Sequence, residues 1–249
     1  QKIMDVAMKL KVDAIHPGFG FLSENENFAK QVIDRNIVWI GPKPNLIKSM
    51  GNKDIARELA LKSNIPICPG ISNITKLNSD DLKNKCENIG YPLLVKSSAG
   101  GGGIGMSVVQ NFEDLSKSIE KTSNMAEKSF GNGDVFIEKF ITNARHIEIQ
   151  IFGFGDKGAV HLYERDCSMQ RRYQKIIEES PAPEIDRTLI ESMANAAVKL
   201  SSDVKYQGAG TVEFIYDVEQ KKYYFLEMNT RIQVEHPVTE LVTNNDLVS

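Results

Sequence analysis

Residues 208–240 read GAGTVEFIYDVEQKKYYFLEMNTRIQVEHPVTE. Two apolar, β-rich runs, 211–216 and 223–226, flank a polar loop, which predicts a hairpin. Each run carries one carboxylate, Glu213 and Glu227, and the loop length allows a register that sets them opposite each other. Residues two apart share a strand face. From Glu227 onward the odd positions are polar: Glu227, Asn229, Arg231, Gln233 and Glu235. The even positions Met228, Thr230, Ile232 and Val234 are left to pack or fill. The alternation predicts one polar face over 227–235.

Two facing carboxylates repel unless a cation lies between them. A hard ion such as Mg²⁺ suits two carboxylates and an amide oxygen, with phosphate completing its shell. The competing reading is a solvated strand face. The apolar VEF and FLE contexts argue for burial and against it.

The chain has 249 residues, enough for one large domain or two small ones. Its net charge of −3 leaves no basic excess to draw nucleic acid, so a polyanion must be held by local clusters. No apolar run approaches the length of a membrane span. Cys68, Cys86 and Cys167 are odd in number and lack metal spacing, and read as reduced thiols of an intracellular protein. The chain starts inside a helical pattern and stops without a boundary. It reads as a piece of a longer protein, so the lack of a targeting peptide says nothing; a cytoplasmic location is expected, with a mitochondrial or plastid one open.

The first 66 residues alternate helix 1–10, strand 12–15, a helix after the Ser23/Glu26 capping box, and strand 38–40, which is α/β order. His16 in the HPGFGF turn reads as structural. Asn52 is a candidate N-cap for a helix over 54–63. That puts Lys53 at a helix start, where the dipole disfavours it unless an anion is near. Helix 79–88 and strand 92–97 lead to AGGGGIG (99–105), then strand 106–109. Gly100, Gly102 and Gly105 have GxGxxG spacing, but a strand follows where a dinucleotide fold needs a helix. Strand, glycine run, strand predicts a flap whose N–H groups approach phosphates, with Lys96 reaching the same place. Helix 112–127 and strands 134–140 and 145–152 follow. On the last, His146, Glu148 and Gln150 share a face that reads as solvated. Glu138 offers two acceptors for a purine amino group or a ribose hydroxyl. Strand 159–163 runs into ERDCSMQRRYQKIIEESPAP, read as a basic loop holding Gln170, Arg171, Arg172 and Lys175, followed by helix 185–202.

Lysines at two places, a glycine flap and paired carboxylates suit Mg-ATP. Unit charges 4 Å apart interact by about 4 kcal/mol at an effective dielectric near 20, so bare carboxylates facing a triphosphate need a metal between them. Arg231 and Lys175 remain for a second, smaller anion, and Glu235 for its proton.

The segments HPGFGFLSEN, MGNK, KSSAGGGGIGM, EKF, RHIEIQIFG, ERDCSMQRRYQK, EESPAP and FLEMNTRIQVEHPVTE, in this order, resemble the biotin carboxylase component of biotin-dependent carboxylases. The resemblance implies an α/β (α+β) ATP-grasp fold preceded by part of a Rossmann-like N-terminal domain, with the C-terminal domain missing. The expected units are residues 1–66, a glycine-flap lid lobe over 67–140, and a β-rich lobe over 141–249. It implies ATP binding by Lys53, Lys96, Gly101, Gly102, Gly103, Glu138, His146 and Gln170. Mg²⁺ or Mn²⁺ falls to Glu213, Glu227 and Asn229. Bicarbonate falls to Lys175, Arg231, Gln233 and Val234, with Glu235 as general base and Arg231 also facing biotin. The implied partners are a biotin carrier domain and a carboxyltransferase domain or subunit, in a homo-oligomer. Ile104, where the family commonly has Arg or Lys, resembles the urea carboxylase branch, with acyl-CoA carboxylase and pyruvate carboxylase as the alternatives. Tyr173, where His or Asn is frequent, does not. Alternative readings are a ligase like carbamoyl-phosphate synthetase and a non-catalytic nucleotide-binding module.

Overall fold

The computed structural model describes residues 2–98 and 105–249. The chain opens with α1 (Lys2–Leu10), β1 (Ala14–Ile15), α2 (Glu26–Ile33) and β2 (Val38–Trp39). β1 and β2 pair in parallel, and Met4, Ala7, Phe28, Val32 and Trp39 form their core. The cap of α2 is Asn25, whose side chain accepts from Phe28 N; the predicted capping box at Ser23 does not form. Ser23 is buried instead. A helix that the sequence reading left out, α3 (Pro44–Gly51), starts with proline in its first turn. In α4 (Lys53–Lys62), Asn52 Oδ1 accepts from Ile55 N at 3.1 Å, as its type and place predict.

Next come β3 (Gly70–Ile71), α5 (Ser79–Ile89), β4 (Leu93–Ser97), β5 (Met106–Val109), α6 (Leu115–Phe130) and β6 (Val135–Lys139). The four strands form one antiparallel sheet in the order β3-β6-β4-β5. Its core is Leu93, Val95, Val109, Leu115 and Ile137, with Cys86 contributed by α5.

The largest sheet is built from β7 (Ala144–Phe154), β8 (Ala159–Arg171) and β9 (Gln174–Glu179), then α7 (Arg187–Asp203), β10 (Gln207–Asp217) and β11 (Lys222–Asn229). α8 (His236–Thr243) follows. The strand order is β11-β10-β7-β8-β9, antiparallel throughout. Ile190, Met193, Ala197 and Leu200 recur at helical spacing on α7 and pack on the face of β7 that carries Ile147, Ile149 and Ile151. Each fully buried aliphatic side chain contributes about 1.5–3 kcal/mol over an exposed one.

That packing fixes what the other face of β7 must do. His146, Glu148 and Gln150 alternate with the isoleucines, so they lie on the opposite side. The expectation of a solvated face is wrong: Glu148 and Gln150 are 0% exposed. The segment read as a basic loop is also different, because residues 164–179 are β8 and β9, joined through Arg172 and Tyr173. Both have left-handed φ, 53° and 64°. No glycine or asparagine marks the turn, which hid the hairpin from the sequence reading.

Candidate active site

The hairpin predicted at the outset forms in the predicted register, with Glu213 opposite Glu227. Its ladder shifts between Glu213 and Phe214, a bulge beside the site. The predicted alternation stops early. β11 ends at Asn229, and residues 230–235 turn into α8 with Glu235 as its N-cap. Arg231 and Gln233 still point inward, from a turn rather than a strand. Ile232 packs as expected, whereas Val234 is 62% exposed.

A cavity of about 630 Å³ is lined from both larger sheets. Lys53, Lys96 and Glu138 face it on one side; His146, Gln170, Lys175, Glu213 and Glu227 on the other. Asn229, Arg231, Gln233, Val234 and Glu235 complete the wall. Gly101, Gly102 and Gly103 lie outside the described residues. Arg171 and Arg172 do not line the cavity, so of the predicted basic cluster Gln170 and Lys175 do.

The register writes a charged row across the sheet. Glu227 is opposite Glu213, Glu213 opposite Glu148, and Glu148 opposite Arg165. Like charges directly opposite destabilise a sheet, so this row depends on cations. Lys175 supplies one. Its Nζ reaches Glu148 Oε2 at 2.5 Å, Glu235 Oε1 at 2.6 Å and Glu213 Oε1 at 3.0 Å, using all three ammonium donors. Asn229 Nδ2 and Gln233 Nε2 donate to the same Glu213 oxygen, at 2.7 and 3.0 Å. His146 Nε2 lies 3.0 Å from Glu213 Oε2. Its Nδ1 faces Gln170 Nε2 at 2.7 Å, so a neutral ring carries its proton on Nε2, toward the carboxylate. Lys53 Nζ is 3.4 Å from Glu227 Oε2.

These contacts set the protonation states. Burial would raise the Glu213 carboxyl, but His146 and Lys175 outweigh it and hold it well below the usual range. Burial also works against Glu235, where Lys175 again wins and lowers it. Lys175 goes the other way: burial would lower the ammonium, and Glu213 and Glu148 lift it above its ordinary value. His146 is raised by Glu213 against the effect of burial. Burial pushes the Cys68 thiol up to about 12. Burial, then Glu148, lifts Cys167 further, so neither thiol is a nucleophile at neutral pH.

Glu213 and Glu227 face each other in the register, and Asn229 lies two residues along. Carboxylate and amide oxygens are the donor types that Mg²⁺ or Mn²⁺ takes, although here Lys175, His146 and Lys53 occupy the carboxylates and Arg231 the amide oxygen. The surplus of carboxylates in the row fits a dication as well.

Residues 52–249 match the family model described as Carbamoyl-phosphate synthase L chain, ATP binding domain. Residues 1–47 match the one described as Biotin carboxylase, N-terminal domain. Biotin carboxylase 1 of Bacillus subtilis is 49% identical over 99% of this chain, which spans 54% of that relative. The chain belongs to the biotin carboxylase family. The biotin carboxylase domain dimer of Hydrogenobacter thermophilus 2-oxoglutarate carboxylase, solved with MgADP, ADP and bicarbonate, superposes with a TM-score of 0.91 at 44% identity. That match covers 99% of this chain and 54% of the other. Urea amidolyase of Lachancea kluyveri is 47% identical over 99% of this chain and 13% of its own length. The two larger sheets are therefore those of a biotin carboxylase ATP-grasp fold. The chain spans about half the length, 54%, of the curated biotin carboxylase it matches.

Within this biotin carboxylase fold, three residues the sequence reading did not single out hold the site together. Arg57 Nη1 donates to Glu138 Oε2 at 3.0 Å, while Lys96 Nζ takes Oε1 at 2.6 Å. Both Glu138 oxygens, expected to face a purine or ribose, are thus engaged by cations. Arg165, 0% exposed, donates to Glu148, Gln150, Thr211, Gln233 and Thr239. Glu24, from the HPGFGFLSEN segment, accepts from Thr230 N and from Arg231 Nε, both at 3.0 Å. Nothing separates a buried arginine from a surface one in a polar run such as KDIARELALK, so only the fold reveals them. Among the described residues no helix is long and apolar enough to cross a membrane.

Proposed function

We propose that this chain is the ATP-grasp part of a biotin carboxylase, using ATP and bicarbonate to carboxylate the ureido nitrogen of carrier-bound biotin. The observation that carries the reading is the pairing of Lys175 with Glu235 at 2.6 Å, in the cavity that Lys53 and Lys96 also line. Lys53 and Lys96 hold the nucleotide phosphates; Glu138, His146 and Gln170 shape the nucleotide side. Glu213, Glu227 and Asn229 would hold Mg²⁺, which would supply the positive charge that phosphates need beside the row of carboxylates.

Lys175, Arg231, Gln233 and the Val234 backbone hold bicarbonate, and Glu235 takes its proton as its oxygen attacks the γ-phosphorus. Lys175 holds the Glu235 carboxyl below its ordinary value, so it is ionised and able to accept, while the same pairing makes it a weaker base. ADP leaves, and the resulting carboxyphosphate breaks into CO₂ and phosphate. That phosphate removes the ureido proton, and the biotin nitrogen attacks CO₂. Arg231, tied to Glu24 and Asn229, faces the biotin side. The carrier, a carboxyltransferase partner, a homo-oligomeric parent and a cytoplasmic location complete the proposal. The resemblance around Ile104 favours urea as the final acceptor.

The test is ADP release by the full-length parent with Mg-ATP and bicarbonate, with and without free biotin. Release that needs bicarbonate and rises with biotin supports the reading. Release that needs ammonia and ignores biotin would place the chain with carbamoyl-phosphate synthesis, to which its larger family model is named. ATP binding without any release would make it a nucleotide-binding module. Glu235→Gln should cut turnover by about 10²–10⁴-fold with ATP binding kept. Glu227→Gln should instead raise the Mg²⁺ requirement. Carboxylation of urea, compared with acyl-CoA and pyruvate, decides the acceptor.

A further inference from the structure

Lys96 and Lys175 are held in the same way. Lys96 Nζ meets one oxygen of Glu138 and Arg57 the other. Lys175 Nζ meets one oxygen of Glu148, and Arg165 Nε the other at 2.6 Å. In both units a carboxylate stands between a cavity lysine and a buried arginine, and neither arginine lines the cavity.

A lysine paired with one glutamate offers an anion no net charge. The arginine behind the pair leaves the three groups with one positive charge. For Lys175 the effect is sharper, since it also meets Glu213 and Glu235. Without Arg165 the lysine would face three carboxylates alone.

Each arginine also fixes direction. Arg57 Nη2 donates to the Cys68 carbonyl at 3.0 Å, and its Cζ lies 5.3 Å over the Phe136 ring. Lys96 Nζ lies 5.8 Å over the same ring. Phe136 and Glu138 share one face of β6, so ring and carboxylate seat both cations. Arg165 accounts for five side-chain acceptors, and Gln233 is the telling one. Gln233 Oε1 accepts from Arg165 at 3.0 Å, which turns its amide Nε2 toward Glu213.

We propose that Arg57 and Arg165 are positioning residues, Arg57 aiming Lys96 at nucleotide phosphate through Glu138, and Arg165 aiming Lys175 and Gln233 at bicarbonate. The second half rests on the biotin carboxylase reading. A lysine in either place keeps the charge but loses the fork. At position 165 its three donors cannot serve five acceptors.

The test uses the full-length parent carrying Arg57→Lys or Arg165→Lys. Three quantities are measured: Mg-ATP affinity by calorimetry, bicarbonate KM from ADP release, and Lys175 acetylation by acetic anhydride, followed by peptide mass spectrometry. Arg57→Lys should weaken Mg-ATP binding about tenfold and leave bicarbonate KM within about twofold. Arg165→Lys should raise bicarbonate KM about tenfold and speed Lys175 acetylation about tenfold, with Mg-ATP affinity within about twofold. Both constants moving together in each variant, or neither moving, overturns the proposal. If Arg165→Lys does not fold, Glu148→Gln removes the shared charge at constant shape. It frees Lys175 from the carboxylate it shares with Arg165 and must speed Lys175 acetylation about tenfold; an unchanged rate overturns that half. Should the wild type release no ADP, the carboxylase reading falls, while Mg-ATP affinity and Lys175 acetylation still judge the two arginines.

Discussion

On the four-stranded sheet, Lys96, Glu138 and Arg57 place two cations on one carboxylate. On the five-stranded sheet, Lys175 and Arg165 face three carboxylates, Glu148, Glu213 and Glu235. The local chemistry is shared, yet the sign of the surroundings is opposite. The first group is complete and presents positive charge to the cavity. The second carries a negative surplus, which explains why His146 gains affinity for a proton there and why a dication fits the row. The difference teaches that one arrangement of lysine, glutamate and arginine can stand in surroundings of either sign, according to how many carboxylates the fold sets beside it.

The largest effect that would break this comparison is expected at Arg165. Arg165→Met leaves buried acceptors on four segments and should cost about 3–5 kcal/mol in urea unfolding. A loss under 1 kcal/mol would show that the row does not depend on it. Arg57→Met spares more, because Lys96 still neutralises Glu138, and should cost about 1–3 kcal/mol in the same assay. Equal losses at the two positions would remove the contrast.

Acid sharpens it further. The folded Glu213 carboxyl lies below its unfolded value, near 4.3. Its contribution is complete above that value and disappears as pH falls through the lower folded one. Glu213→Gln removes this dependence. Below about pH 4.3 the melting temperature of the wild type should therefore fall more steeply than the variant's, by about 2–4 °C for each 1 kcal/mol involved. Parallel curves would mean that Glu213 is not held ionised. The smallest effect is local: Asn52→Ala should cost about 1 kcal/mol through loss of the α4 cap, with little change at the five-stranded sheet.

The hairpin at 211–229 was legible because a strand's period of two, a polar loop and two stray carboxylates all point to one register. The Asn52 cap and the strand–glycine run–strand order were legible for similarly local reasons. The hairpin of β8 and β9 was not, since its turn uses Arg172 and Tyr173 and its strands are rich in charge. Glu148 and Gln150 were misjudged because polar alternation looks the same whether the polar face meets water or a buried polar network that Arg165 ties to Gln233 and α8. Arg57, Arg165 and Glu24 act across 81, 17 and 207 positions of sequence, distances at which no local pattern carries information.

That last span has a consequence in time. At about 5–20 residues per second, Glu24 leaves the ribosome's catalytic centre roughly 10–40 seconds before Arg231 is made. The first α/β segment has its own small core of Met4, Phe28, Val32 and Trp39 with which to wait. Closure of Glu24 onto Thr230 and Arg231 is then a late event in the birth of the molecule, and the site stays open until its youngest wall arrives.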